Sequence, residues 1–223
     1  VAHPDERTTT INAAGARMLA ALGAWDRLET PPAPITRIAV AEGPAPTRLA
    51  ARRRPDSHLS WQSDDAPMGY VVANAALQSA LRDTLATTNV IERRGCGVTG
   101  WSAGDTISSL GLADAAGQEE TMEAALVVAC DGARSMMAEL AGLGKREEQQ
   151  RQTAIVTTLR AERPHEGTAF QRFLPTGPFA LMPGPGDAGG YEMSLVWTLP
   201  NDNAQQLIAA DNASFESACL EAF

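Results

Sequence analysis

Val127-Val128-Ala129-Cys130-Asp131-Gly132-Ala133-Arg134-Ser135 is the stretch on which the fold turns. Every residue of the preceding run, Ala124 to Cys130, is uncharged and apolar. Such a run predicts a strand buried on both faces, because a half-exposed strand alternates in polarity. Asp131-Gly132 breaks the strand, and helical spacing returns over Ser135 to Leu143. In open α/β sheets that carboxyl edge is where ligands bind. Glycine there lets a ligand approach the backbone, and free amides at a helix start suit a phosphate. The plainer alternative is a turn in which Asp131 only caps the helix.

Outward from this segment the pattern alternates. Ile11, Ala14, Met18, Leu19 and Leu22 recur at helical spacing, with Gly23 as the C-cap. Pro31-Pro32-Ala33-Pro34 reads as a stiff connection outside helix and sheet interior. Ile35 to Ala41 resembles a strand, Gly43 to Pro46 a turn, and Arg48 to Trp61 holds at most a second strand. Gly69 to Val72 is an extended lead-in to a helix with Asn74 as N-cap and a Leu77, Leu81, Leu85 stripe. Val90-Ile91, Val98 to Trp101 and Ile107 to Leu112 are strand-like, and Asp114 to Gln118 is a turn.

Beyond Lys145 the texture is antiparallel β. Thr153 to Ala161, Phe170 to Leu174, Phe179 to Met182 and Met193 to Leu199 read as strands, with a hairpin connection at Gly184 to Gly190. Asn203 to Phe223 reads as helix, with Phe215, Cys219 and Phe223 spaced by four. The predicted class is therefore α/β plus antiparallel β, in two domains built from discontinuous segments. The α/β parts are 1–30 and 68–144; the β parts are 31–67 and 145–223.

Composition narrows the function. A net charge of −9 argues against a nucleic-acid surface, which needs clustered cations. Arg52-Arg53-Arg54 is the only basic run and reads as a solvated loop. No apolar run reaches the roughly 18 residues of a membrane span, and Val1 to Arg7 lacks the features of a signal peptide. Cys96, Cys130 and Cys219 have neither metal nor disulfide spacing and read as reduced cytosolic thiols, Cys130 as a small buried hydrophobe.

Ala125 to Ser135 resembles the D-G motif of class A flavoprotein monooxygenases, the para-hydroxybenzoate-hydroxylase-like fold. Asp5-Glu6-Arg7-Thr8-Thr9-Thr10-Ile11 and the helix ending at Leu22-Gly23-Ala24-Trp25-Asp26 are similar to the segment after that family's second Rossmann strand. His165 to Phe173, continuing through Gly177 to Pro183 and Ser194 to Thr198, resembles its ubiquinone-biosynthesis hydroxylase branch. The three matches run in family order along essentially the whole chain.

The resemblance implies a partial Rossmann-like FAD-binding domain interleaved with a β-sheet substrate domain. It implies an FAD monooxygenase, reduced by NAD(P)H, that hydroxylates the ring of a polyprenylated phenol or quinol. The cofactor then carries the difficult chemistry while the protein orients and shields. That agrees with the lack of any Ser-His-Asp or paired-carboxylate pattern in the sequence. Arg7 matches the family arginine near the adenosine side, Asp131 and Gly132 the motif along the dinucleotide, and Asn74 the start of a helix facing the flavin. Ala75 and Ala138 stand where many relatives carry arginine. No catalytic residue is assigned.

His165 suits a general base by its titration range, but its turn context favours a structural role. Phe170, Phe173, Phe179 and Trp197 could line an apolar pocket, although alternation sets Phe173 opposite Phe170 and Leu174. The family's G-x-G-x-x-G turn is expected ahead of Val1 and its Gly-Asp-Ala segment beyond Phe223. The 223-residue chain is therefore expected to bind flavin weakly or not at all, and to self-associate through exposed sheet edge. A greasy substrate implies a cytoplasmic enzyme in peripheral contact with the inner membrane or with other ubiquinone-biosynthesis proteins. Two rival readings are another class A hydroxylase and a cofactor-free scaffold that keeps the fold.

Overall fold

A computed structural model describes residues 7–43, 58–144 and 150–223. Arg52 to Arg54, Pro44 to Pro46 and the first part of the Arg48 to Trp61 stretch lie outside the described residues, as do Asp5 and Glu6. Two compact units emerge: 1–89 with 150–223, and 90–149.

The larger unit is built on two sheets. The first has the order β1 (Thr8–Asn12), β5 (Gly69–Ala73), β2 (Ala33–Ile35), all antiparallel. Val71 and Val72 of its central strand are fully buried, as a strand with neighbours on both sides and both faces requires. The second sheet has the order β4 (His58–Gln62), β3 (Arg37–Glu42), β10 (Thr168–Leu174), β11 (Gly177–Pro183), β12 (Glu192–Pro200), β9 (Gln152–Arg160). Its β3–β10 pair is parallel and the rest antiparallel, so the sheet is mixed.

The expected strand from Ile35 to Ala41 is two strands. The chain leaves the first sheet at Ile35 and enters the second at Arg37, because the Gly167 carbonyl accepts from both Thr36 N (2.9 Å) and Arg37 N (3.2 Å). Nor is the Pro31 to Pro34 segment excluded from sheet: Ala33 and Pro34 belong to β2. An edge strand tolerates proline because one side of it has no ladder to feed.

Register assigns the two faces of the larger sheet. Leu195, Trp197, Phe179, Ile155 and Leu199 point one way and are buried beneath α4 (Asn201–Ile208) and α5 (Asn212–Ala222), which add Ala204, Cys219 and Ala222. The single terminal helix read from the sequence is thus two, because Asp211 accepts from Ser214 N at 2.8 Å and caps a new start. Phe215, Cys219 and Phe223 do share a face, and the Phe223 ring meets Phe170 edge-on at 5.4 Å. The opposite sheet face meets the small sheet through Ala33, Ile35 and Val71 against Ile38, Ala169 and Met182, with Thr8 and Ser194 hydroxyls 2.8 Å apart.

Helix α1 (Ala13–Ala21) is capped by Asn12, whose Oδ1 accepts from Gly15 N at 2.8 Å. It buries Ala16 and Leu19 while Met18 and Leu22 are exposed. Helix α2 (Asn74–Leu85) packs through Ala76 and Ala80; Leu81 is exposed, so the leucine stripe is not its packing face. Small residues allow the closer approach and win the contact.

The smaller unit is an antiparallel sheet of β6 (Cys96–Ser102), β7 (Ser108–Asp114) and β8 (Glu119–Ala124), with α3 (Met136–Leu140) packed on β6. Asp114 Oδ1 holds the β7–β8 turn by accepting from Ala116 N and Gln118 N. Val90 and Ile91 form no strand and are exposed. The larger departure is at Ala125 to Cys130. The expected buried strand ends with β8 at Ala124, and the run beyond it is irregular and, apart from half-buried Val127, exposed, Leu126 at 77% and Val128 at 71%. Cys130 is exposed rather than a core residue. A strand buried on both faces needs flanking strands, and no described strand pairs with these residues.

The core assignment carries a stability expectation. Leu195→Ala and Phe179→Ala, at positions 0% and 1% exposed, should each cost about 3–5 kcal/mol in urea unfolding, and Val128→Ala under about 0.5 kcal/mol. Equal losses at all three positions would contradict the layer order described here.

Candidate functional site

The residues picked from the sequence fall into two groups, one in each unit. In the larger unit, Arg7 and Asn74 meet at one end of the β1–β5 ladder. Asn74 N donates to the Arg7 carbonyl at 3.0 Å, and Thr9 Oγ1 donates to Asn74 Oδ1 at 2.5 Å. Asn74 is therefore the first helical residue and not the cap: Ala73 holds the cap position, without a side-chain bond. This bond ties the Asn74 side-chain oxygen to β1. Arg7 is exposed at this rim.

In the smaller unit, Asp131 and Gly132 follow the irregular apolar segment. Asp131 Oδ2 accepts from Met137 N at 3.1 Å. Bonds from the Ser135 hydroxyl and then from the Met137 amide hold this carboxyl below the usual carboxylate range. Ser135 Oγ accepts from Ala138 N at 3.0 Å, so two side chains cap α3 together. The plainer of the two readings of Asp131, a helix cap, is what this geometry contains. Gly132 has φ +77° and open space where a Cβ would stand, so the backbone beside it is unobstructed. A groove of about 470 Å³ runs beside it, lined by Val98, Leu110, Val127, Met136 and Met137.

A second cleft, of about 400 Å³, was not singled out as a site from the sequence. It lies where Pro31 to Pro34, Pro164 to Glu166 and the Gly184 to Gly190 connection converge in the larger unit. His165 sits at its edge. Its Nδ1 accepts from Gly167 N at 3.0 Å, and its backbone amide donates to the Gly190 carbonyl at 2.8 Å. With Nδ1 accepting, the proton of the neutral ring is on Nε2, which is buried and has no hydrogen-bond partner among the described residues. Burial first, against an opposing pull from Asp187, moves the imidazole below its ordinary value.

Gly167 (φ +69°) admits no side chain, since a Cβ would stand 2.5 Å from Thr36 Oγ1. Asp187 ties the glycine-rich connection: Oδ1 accepts from Gly189 N, and Oδ2 from Tyr191 N (2.6 Å) and Glu192 N (2.8 Å). These bonds depress the carboxyl pKa. The structural reading of His165 agrees with this web, and a lone histidine in a turn gives no sign in sequence of the loops it joins.

Of the aromatic residues, Phe170, Phe179 and Trp197 share the helix-covered face, with the Phe179 and Trp197 rings edge-on at 5.1 Å. Phe173 alone points to the other face and is 53% exposed. Val156 on the same face is 46% exposed. Cys219 is buried, its thiol pushed up to about 11 by desolvation, and is chemically quiet. Among the described residues no group of histidine, cysteine and acidic side chains could hold a metal ion, and no helix is long and apolar enough to cross a membrane.

Comparison with known proteins adds four findings. The model of the FAD binding domain family matches residues 1–218. The chain is 36% identical over 217 residues to the ubiquinone hydroxylase UbiL of Rhodospirillum rubrum, covering 96% of this chain and 46% of that protein. It is 28% identical over 229 residues to the zebrafish (Danio rerio) mitochondrial ubiquinone biosynthesis monooxygenase COQ6, covering 97% and 44%. Among solved structures, pqsL of Pseudomonas aeruginosa superimposes with a TM-score of 0.72 at 14% identity over 100% of this chain and 58% of that one, a likeness of fold alone. The chain spans about half the length of the curated relatives it matches.

The His165 geometry makes a pH prediction. A base held below its ordinary pKa, near 6.5, leaves stability complete above that value. Stability then falls as pH drops through 6.5 toward the folded pKa, because the unfolded chain takes up the proton first. The urea midpoint should therefore decline between pH 7.5 and 5 more steeply in the native chain than in His165→Gln. Parallel pH profiles for the two proteins would remove His165 from this role.

Proposed function

Since this chain belongs to the FAD binding domain family, we propose that it is part of an FAD monooxygenase that hydroxylates the ring of a polyprenylated ubiquinone precursor. The observation that carries the reading is the 36% identity to a ubiquinone hydroxylase along nearly the whole chain. Reduced nicotinamide is the electron source in this reading. When bound, the flavin supplies the activation of oxygen. The chain's own residues bind, orient and exclude water.

The division of labour proposed from the sequence keeps 1–30 with 68–144 on the cofactor and 31–67 with 145–223 on the substrate. Arg7, exposed at the β1–β5 rim, is suited to two parallel bonds to a phosphate oxygen pair. Asn74, beside it, starts α2. Gly132 offers backbone that no side chain obstructs, and Asp131 an ionised carboxylate able to accept hydrogen bonds from hydroxyls. Each is, taken by itself, a kind of group suited to the polar half of a dinucleotide. In the whole protein, Ala125 to Cys130 is proposed to be a sheet strand that brings Asp131 and Gly132 to that ligand.

The open face of the larger sheet is proposed as the wall against which the substrate ring lies. Its apolar, half-exposed Phe173 and Val156 support this, since a prenylated ring needs apolar contact more than charge. A substrate this apolar reaches the enzyme from the membrane surface, so peripheral contact there is part of the proposal.

In a strain lacking the gene, the unhydroxylated prenylated ring should accumulate and the complete gene product should clear it. Accumulation of no quinone precursor would overturn the assignment. In the complete protein, Arg7→Ala or Asp131→Ala should weaken FAD by about 10-fold or more, the cost of one charged hydrogen bond, in fluorescence titration. Phe173→Ser should raise KM for the prenylated phenol by about 10-fold while leaving the rate of flavin reduction without substrate unchanged.

A further inference from the structure

Arg172 carries a buried charge with no carboxylate against it among the described residues, where the ion pairs lie elsewhere and on the surface. Register sets it on the helix-covered face of the larger sheet, between Ala41 of β3 and Phe179 of β11, both buried. Its Nε has no hydrogen-bond partner and is closed off from solvent, so no further group can reach that atom without opening the packing. A guanidinium in such a place costs stability, and an apolar side chain of similar length would fill the space without that cost. A packing rule broken with no ion pair to compensate points to a task.

The side chain holds one turn. Nη1 donates to the Gly43 carbonyl at 3.0 Å. The Gly43 amide in turn donates to the carbonyl of Phe173, the next residue of β10, at 2.9 Å. Gly43 has φ +80° and stands where the chain turns out of β3. Two consecutive residues of β10 therefore clasp this glycine, Arg172 with its side chain and Phe173 with its backbone. The Phe173 ring stands on the opposite, open face, 53% exposed, and takes its position from the backbone beneath it.

We propose that Arg172 is a positioning residue for the substrate ring: from the covered face it fixes, through Gly43, the backbone that carries Phe173 on the open one. The proposal rests on the reading of that open face as the substrate wall. An anion site is the weaker account of the same guanidinium. With Nε closed in and Nη1 engaged, no edge of the fork is left for the two parallel bonds that select a carboxylate.

Urea unfolding and steady-state kinetics on the complete protein test the proposal. Arg172→Met should leave the urea midpoint equal or higher, since it removes a buried charge and the half-buried Gly43 carbonyl can turn to water. It should raise KM for the prenylated phenol by about 5-fold, the scale of one hydrogen bond, with kcat within about twofold. Arg172→Met combined with Phe173→Ser should show the KM of Phe173→Ser alone, because the clasp acts through that ring. Additive losses, or an unchanged KM in Arg172→Met beside a raised one in Phe173→Ser, would overturn the positioning role and leave the substrate wall standing. A lowered urea midpoint in Arg172→Met would make the residue a packing element and overturn the role as well. No effect of Phe173→Ser on KM would remove the wall, and this proposal with it.

Discussion

The ladder from β10 through β11 and β12 to β9 constrains the larger unit more than any other feature. Its nine-residue β12–β9 register fixes which side chains share a face. One face then has to be covered, since Leu195, Trp197, Phe179 and Ile155 together remove several large apolar groups from water, each worth about 1.5–3 kcal/mol when buried. α4 and α5 supply that cover. The other face has to accept the small sheet, and the Thr8–Ser194 and Thr10–Met182 contacts mark where it does. On that second face Phe173 of β10 and Val156 of β9 remain exposed, as do Leu59 and Trp61 of β4, and the proposed substrate wall draws on this open surface.

The junction between the two sheets rests on one turn. Gly167 uses its carbonyl for both Thr36 and Arg37 amides, and its missing side chain makes room for Thr36. His165 and Asp187 fix the loops on either side with hydrogen bonds to backbone amides. The web joins three loops that are far apart in the chain. It also explains why a histidine in a familiar titration range is occupied with architecture: its Nδ1 is already engaged, and its Nε2 meets no acceptor among the described residues.

The smaller unit poses the reverse situation. Its hairpins close locally, because Asp114 accepts from amides two and four residues ahead and the β6, β7 and β8 ladders are sequential. The apolar run after β8 has no sequential neighbour to pair with. A strand buried on both faces depends on contacts supplied from elsewhere, and without them the same residues lie exposed beside a groove. Asp131 then turns to the nearest amides available, those that start α3.

Much of the architecture was legible from pattern alone. Alternation in Phe170 to Leu174 and Met193 to Leu199 marked strands, the four-residue spacing of Phe215, Cys219 and Phe223 marked a helical face, and the same alternation set Phe173 apart from Phe170. These are local consequences of side-chain periodicity, which every short segment carries in itself. Residue order also carried the resemblance through Asp5 to Ile11, Ala125 to Ser135 and the His165 to Thr198 stretch, and the FAD binding domain family matches residues 1–218. Tertiary structure alone decided the rest: that the chain changes sheets at Thr36, that Asn74 bonds Thr9 instead of capping α2, that alanines and not leucines pack α2, and that Ala125 to Cys130, half-buried Val127 apart, is exposed. Each of these depends on a partner distant in sequence, and periodicity contains no information about which partner arrives.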